Sequence, residues 1–183
     1  MITNDYQNLC YTRLKVIFGE ANVKKEWDVA KNSQDDLTRN LYCPRLDLAI
    51  GPFNIDGEIE HNQQQINEEI QRHSELIDQL IDVSQNYTGG RQEFLNNRNS
   101  NPRCLISVEI EDSGSRKHML GDIANTSILG AIGIVVPLNQ AKLEAFKKIM
   151  KYIHFARAVG KLKQSFANVL LINKEDFLRL ISI

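Results

Sequence analysis

Three acidic residues stand where their neighbours are apolar. Asp47 lies between Leu46 and Leu48 in RLDLAIGPF (45–53), and Glu109 and Glu111 close the run CLISVEIE (104–111). Both stretches read as strands, and a strand places residues i and i+2 on one face. Glu109 and Glu111 therefore share a face, where like charges repel. A carboxylate among apolar side chains is costly unless it finds a partner or a cation. Three carboxylates converging from adjacent strands would hold a hard divalent cation, Mg²⁺ or Mn²⁺, able to activate water or stabilise a leaving oxygen. The same acids are also accounted for as the solvent face of a half-exposed sheet.

The turn DSGSRKH (112–118) follows directly, with Ser115 placed to open a helix. Helix N-termini attract anions, yet Arg116, Lys117 and His118 sit there, and a bound phosphate would resolve that conflict. A second basic cluster, Lys147, Lys148, Lys151, His154 and Arg157, marks a later helix. Such groups can contact phosphates, which positions a duplex without reading its sequence. His61 and His73 read as surface residues of a polar helix face.

The elements that must position these groups follow from periodicity. Residues 4–18 have helical spacing, with Gly19 as a stop. NVKKEWDVA (22–30) is extended, and KNSQDDLTRNLYC (31–43) is loop-like. Residues 58–84 contain no Gly or Pro and repeat Ile and Leu near helical spacing, predicting one long helix of roughly 40 Å. The Asn- and Gly-rich stretch 85–101 predicts a mobile loop. A helix over 115–129, a buried strand over 132–138, a helix over 141–159, a strand over 166–173 and a short final helix complete the order. Strands alternating with helices predict a layered mixed sheet whose parallel part comes late in the chain.

Composition sets the outer bounds. The chain has 183 residues, 42% hydrophobic and 25% charged, enough for one domain with a sizeable core. No apolar run reaches a membrane span, and the N-terminus has no secretory pattern. The three cysteines, Cys10, Cys43 and Cys104, form no CxxC pair and predict buried thiols in a reducing cytoplasm. The net charge is −1, but residues 113–164 carry nine Lys or Arg against two acids, Asp122 and Glu144. No Walker loop, GxGxxG, GxSxG or zinc spacing is present, which argues against an NTPase, a dehydrogenase or an esterase and predicts no nucleotide cofactor.

On these residues the chain resembles the PD-(D/E)XK nuclease superfamily. That family has an αβββαβ core, an Asp on the second strand and E-x-K on the third. RLDLAIGPF with Asp47 matches the second strand, and Glu109-Ile110-Glu111 matches the third with Glu111 in place of the lysine. Some restriction enzymes of the family are similar in having E-x-E. The resemblance covers roughly 4–56 and 103–138, within a single domain 1–183 that carries a helical and loop insertion over 57–102. It implies an α/β, three-layer restriction-endonuclease-like core with a mixed central sheet flanked by helices. It implies a Mg²⁺- or Mn²⁺-dependent endonuclease acting on DNA. Asp47, Glu109 and Glu111 would ligate metal, with Glu20 as a further ligand, and Lys117 or Arg116 would supply the basic group. Arg116, Lys117, Lys147, Lys148 and Lys151 would contact phosphates. A homodimer is expected, paired through the 58–84 helix, which could instead clamp DNA. The missing lysine leaves a second reading: a degenerate module on the same fold that binds DNA or protein without cleavage. A third, a small-molecule enzyme on a doubly wound sheet, has no cofactor fingerprint behind it.

Overall fold

A computed structural model describes residues 3–29, 44–53, 59–163 and 166–182. The expected loop 31–43, with Cys43, lies outside them. The first helix, α1 (Thr3–Phe18), buries Tyr6, Cys10, Leu14 and Phe18 along one stripe. Five strands follow: β1 (Val23–Asp28), β2 (Arg45–Ile50), β3 (Cys104–Glu111), β4 (Gly130–Pro137) and β5 (Val169–Leu171). They pair in that spatial order. β1–β2 and β2–β3 are antiparallel, and β3–β4 and β4–β5 are parallel. The sheet is thus mixed with its parallel half late in the chain, as the alternation predicts. β5 has three residues, shorter than the stretch 166–173 suggests.

Helices cover both faces. α1 packs on one face with α2 (Ile59–Arg72), α3 (Ser74–Asp82), α4 (Arg91–Asn96) and α7 (Lys174–Leu180). α5 (Arg116–Leu129) and α6 (Gln140–Ala158) cover the other. The parallel strands explain this arrangement, because each needs a crossover helix to return the chain to its starting end. Among the described residues no helix is long and apolar enough to cross a membrane.

Two expectations need correction. The described part of the 58–84 stretch forms two helices, not one, α2 and α3, with the break at His73 (φ −109°, ψ 28°). At the break the His73 ring packs against Phe18 of α1, with centroids 4.3 Å apart and ring planes tilted by 47°. The stretch 85–101 is not simply a loop: α4 lies inside it and buries Phe94 and Leu95. Ile66, Ile70, Ile77, Leu80 and Phe94 join the same apolar cluster as Leu48, Ile106 and Ile134 of the sheet.

Two local features aim the chemistry. Val23 packs in the α1-side cluster, whereas Trp27, which regular alternation would place beside it, packs on the other face with Leu46, Ala49 and Cys104. Between them Glu26 has φ 52°, a left-handed conformation that is uncommon for a residue with a side chain. On the other side of the sheet, α5 lies close on β3 and β4. A Cβ at Gly133 would come within 2.9 Å of the Thr126 Cβ, and Ser107 Oγ donates to the Thr126 carbonyl at 2.7 Å. Only glycine admits the helix that near, and α5 then overhangs the last residues of β3.

Candidate active site

The last turn of β3 is where the acids meet. β2 and β3 pair with Leu48 opposite Val108, so the next step along the ladder sets Asp47 beside Glu109. The Asp47 amide approaches Glu109 Oε2 at 3.4 Å, and the Ile110 amide donates to Asp47 Oδ2 at 2.7 Å. Glu109 is 7% exposed, and its other oxygen accepts from Asn125 of α5 at 3.4 Å. Glu111 folds back over the turn that follows, where the Gly114 amide donates to its Oε1. A Cβ at Gly114 would meet that carboxylate, so glycine lets Glu111 lie this close over the turn. Asn139 Nδ2, at the start of α6, fastens the turn by donating to Asp112 at 3.1 Å.

A fourth acid joins from α5. Asp122 is three residues before Asn125 and four before Thr126, so all three share the helix stripe that faces β3. Its buried Oδ2 has no hydrogen-bond donor among the described residues. Burial, then Glu111, then Asp47 push its carboxyl up to about 7. Burial, then Asp47, then Asp122 push Glu109 up to about 9. Asp47 is also raised, chiefly by burial, while the Ile110 amide and the Glu109 carboxyl pull it back. The four acids form two pairs, Asp47 with Glu109 and Glu111 with Asp122. Near neutral pH a proton on Glu109 serves the first pair and a proton on Asp122 the second. That proton also answers for the Asp122 oxygen that lacks a donor among the described residues.

A fifth acid is held at the margin. Gln7 is 6% exposed and donates through Nε2 to Glu26 Oε1 at 2.8 Å and to the Asp47 carbonyl at 3.0 Å. Arg45 Nε pairs with the other Glu26 oxygen at 2.9 Å. The turned-over strand at Glu26 makes this meeting possible.

Glu20 does not belong to the group. Its side chain is 85% exposed and ion-paired with Lys15, before the end of β1 that pairs with Ile50. Glu26, at the other end of β1, is the first-strand acid beside Asp47. Arg116 and Lys117 are exposed on the first turn of α5. Among the described residues neither pairs with an acid of the cluster. His118 Nδ1 accepts from the Ser115 amide at 3.3 Å, which ties the imidazole to the helix start. Lys147 pairs with Glu144 at 3.2 Å, and Lys148 and Lys151 lie outward on α6. His61 is exposed.

The donor set is all carboxylate oxygen, the chemistry that suits Mg²⁺, Mn²⁺ or Ca²⁺. An orphaned buried oxygen and mutual repulsion both fit a cation between the pairs. Burial and like charge raise the carboxyls of Glu109 and Asp122, however, and among the described residues no three His, Cys, Asp or Glu side chains form a ready-made metal-binding group. A cation would enter by displacing their protons and turning Glu109 or Asp122 toward it.

No protein-family model, curated protein or solved structure matches the chain. The functional reading therefore rests on the site itself.

Proposed function

We propose that the chain is a divalent-metal-dependent endonuclease that hydrolyses phosphodiester bonds in DNA, in the manner of type II restriction or repair enzymes. The observation that carries this reading is the meeting of Asp47 and Glu109 from adjacent antiparallel strands, with Glu111 and Asp122 beside them. The β1-β2-β3-β4 order, with a helix between the third and fourth strands, is compatible with the restriction-endonuclease-like core. Asp47, Glu109, Glu111 and Asp122 would hold Mg²⁺ or Mn²⁺. The ion would neutralise charge at the scissile phosphate and favour ionised water as nucleophile.

The chain's own residues have the following parts. Gln7 and the Ile110 amide orient Asp47. Gly114 lets Glu111 lie over the turn. Asp122, raised to about 7 by burial and its acidic neighbours, would give up its proton when the ion binds. Arg116 and Lys117, exposed on the first turn of α5, would contact a phosphate bound at the start of that helix. Lys147, Lys148 and Lys151 would contact the backbone farther along. Cutting both strands of a duplex favours a twofold homodimer in the cytoplasm.

A second reading is a non-catalytic module on the same fold that binds DNA or protein. It draws on Glu111 standing where the resembling family has lysine, and on there being no cation paired with Asp47, Glu109, Glu111 or Asp122 among the described residues. A plasmid-nicking assay with Mg²⁺ or Mn²⁺ separates the two. Wild type should nick, and Asp47→Ala and Glu109→Ala should not. Nicking that survives both substitutions would sink the site. A wild type that neither nicks nor binds the ion favours the module.

A further inference from the structure

The face of the sheet covered by α5 and α6 carries a feature that the acid cluster does not use. Between the two helices runs a groove of about 630 Å³. Leu120, Ala124, Ile149 and Ile153 line it, with Leu162 and Phe166. The charged groups along it, Arg116 and Lys148, are both positive. Leu120 and Tyr152 are 47% and 69% exposed, and Phe155, one helical turn on from Tyr152, is 63% exposed. Contiguous apolar surface rimmed by charge marks an interaction site.

We propose that the α5–α6 groove docks an acidic amphipathic helix of a protein partner. The aliphatic floor suits a helix laid in a groove, with apolar side chains at i, i+3, i+4 and i+7. α5 has 14 residues and α6 has 19, lengths of about 21 and 28 Å, which accommodate three to four turns. Charge selects the sign of the partner. The acids of the two helices are Asp122, turned toward β3, and Glu144, engaged with Lys147. Lys148, Lys151 and Arg157 are left facing outward on α6. Two copies of this groove apposed would set cation against cation. A single nucleic-acid strand would ask for a run of aromatic planes, whereas Tyr152 and Phe166 are the two aromatics in a lining that is otherwise aliphatic and basic.

The test is fluorescence anisotropy on the full chain with three probes. These are an 18-residue helical peptide with leucine at the groove-facing spacing and glutamate elsewhere, the same peptide with lysine for glutamate, and a single-stranded oligonucleotide. The acidic peptide should bind saturably and weaken as salt rises. Tyr152→Glu, at a position outside the core, should weaken it about tenfold or more, the loss typical of an aromatic anchor. Lys148→Glu should weaken it several-fold. Equal binding of the acidic and lysine peptides, or binding of neither, overturns the proposal. So does an oligonucleotide that binds through Tyr152 while the acidic peptide does not, or self-association of the chain that Tyr152→Glu abolishes.

Discussion

Glu109→Gln probes whether burial and repulsion govern the acid cluster. Free in the unfolded chain, Glu109 titrates at its ordinary 4.5, whereas in the fold it holds its proton to about 9. Between these values the folded state binds more protons, so stability falls as pH rises. Each pH unit costs up to about 1.4 kcal/mol for one retained proton. From pH 5 to pH 8 this group alone can remove up to about 4 kcal/mol, a large share of the roughly 5–15 kcal/mol that holds a domain together. Asp122 adds a cost of the same sign, ending near pH 7. Glutamine is neutral throughout, so the variant should lose about one proton from the pH slope and be the more stable protein at pH 8. The assay is urea unfolding at pH 5, 6, 7 and 8 in EDTA. Excess Mn²⁺ should stabilise wild type at pH 8, by about 2.7 kcal/mol at a hundredfold over its Kd, and not the variant. Parallel pH profiles for the two proteins would refute the reasoning.

Other substitutions test other parts of the site and fold. Mn²⁺ affinity measured by calorimetry should rise with pH as Asp122 and Glu109 give up their protons, and Asp122→Asn should lower the number of protons released on binding near pH 7. Gln7→Leu deprives Glu26 and the Asp47 carbonyl of their donor and should cost about 1–3 kcal/mol in urea unfolding. Phe94→Ala opens a cavity beneath α4 and should lower stability by about 3–5 kcal/mol, whereas a residue on a free loop would cost almost nothing.

Asp47, Glu109 and Glu111 were legible because strands announce themselves by period, and an acid in an apolar strand breaks the pattern. Asp122 was not, because an acid on a helix reads as solvated. Its signal was its isolation, as one of two acids in the basic stretch 113–164, and its spacing to Asn125 and Thr126. Gln7 was likewise missed, although it occupies the same stripe as Cys10, Leu14 and Phe18, where an apolar residue belongs. Chain position points to Glu20, beside the end of the first helix, because the strand inversion that brings Glu26 to Asp47 is a backbone event that residue types do not display. The break at His73 left the periodicity intact. The His73 amide still donates to the Glu69 carbonyl at 3.0 Å, and Ile77 to His73 at 3.0 Å, so only packing on Phe18 marks it. α4 was masked by Asn and Gly, with the pair Phe94-Leu95 as the one apolar cue.

The inverted backbone at Glu26 has a consequence for how molecules of this protein meet. β1 and β5 are the outermost strands of the sheet, and an outer strand offers unpaired amides and carbonyls to any passing chain. β5 is three residues long. β1 carries Lys24 and Lys25 and twists over two residues later. Neither presents a long, flat ladder onto which another strand could add. Among the described residues, strand-to-strand polymerisation is therefore disfavoured at both borders of the sheet.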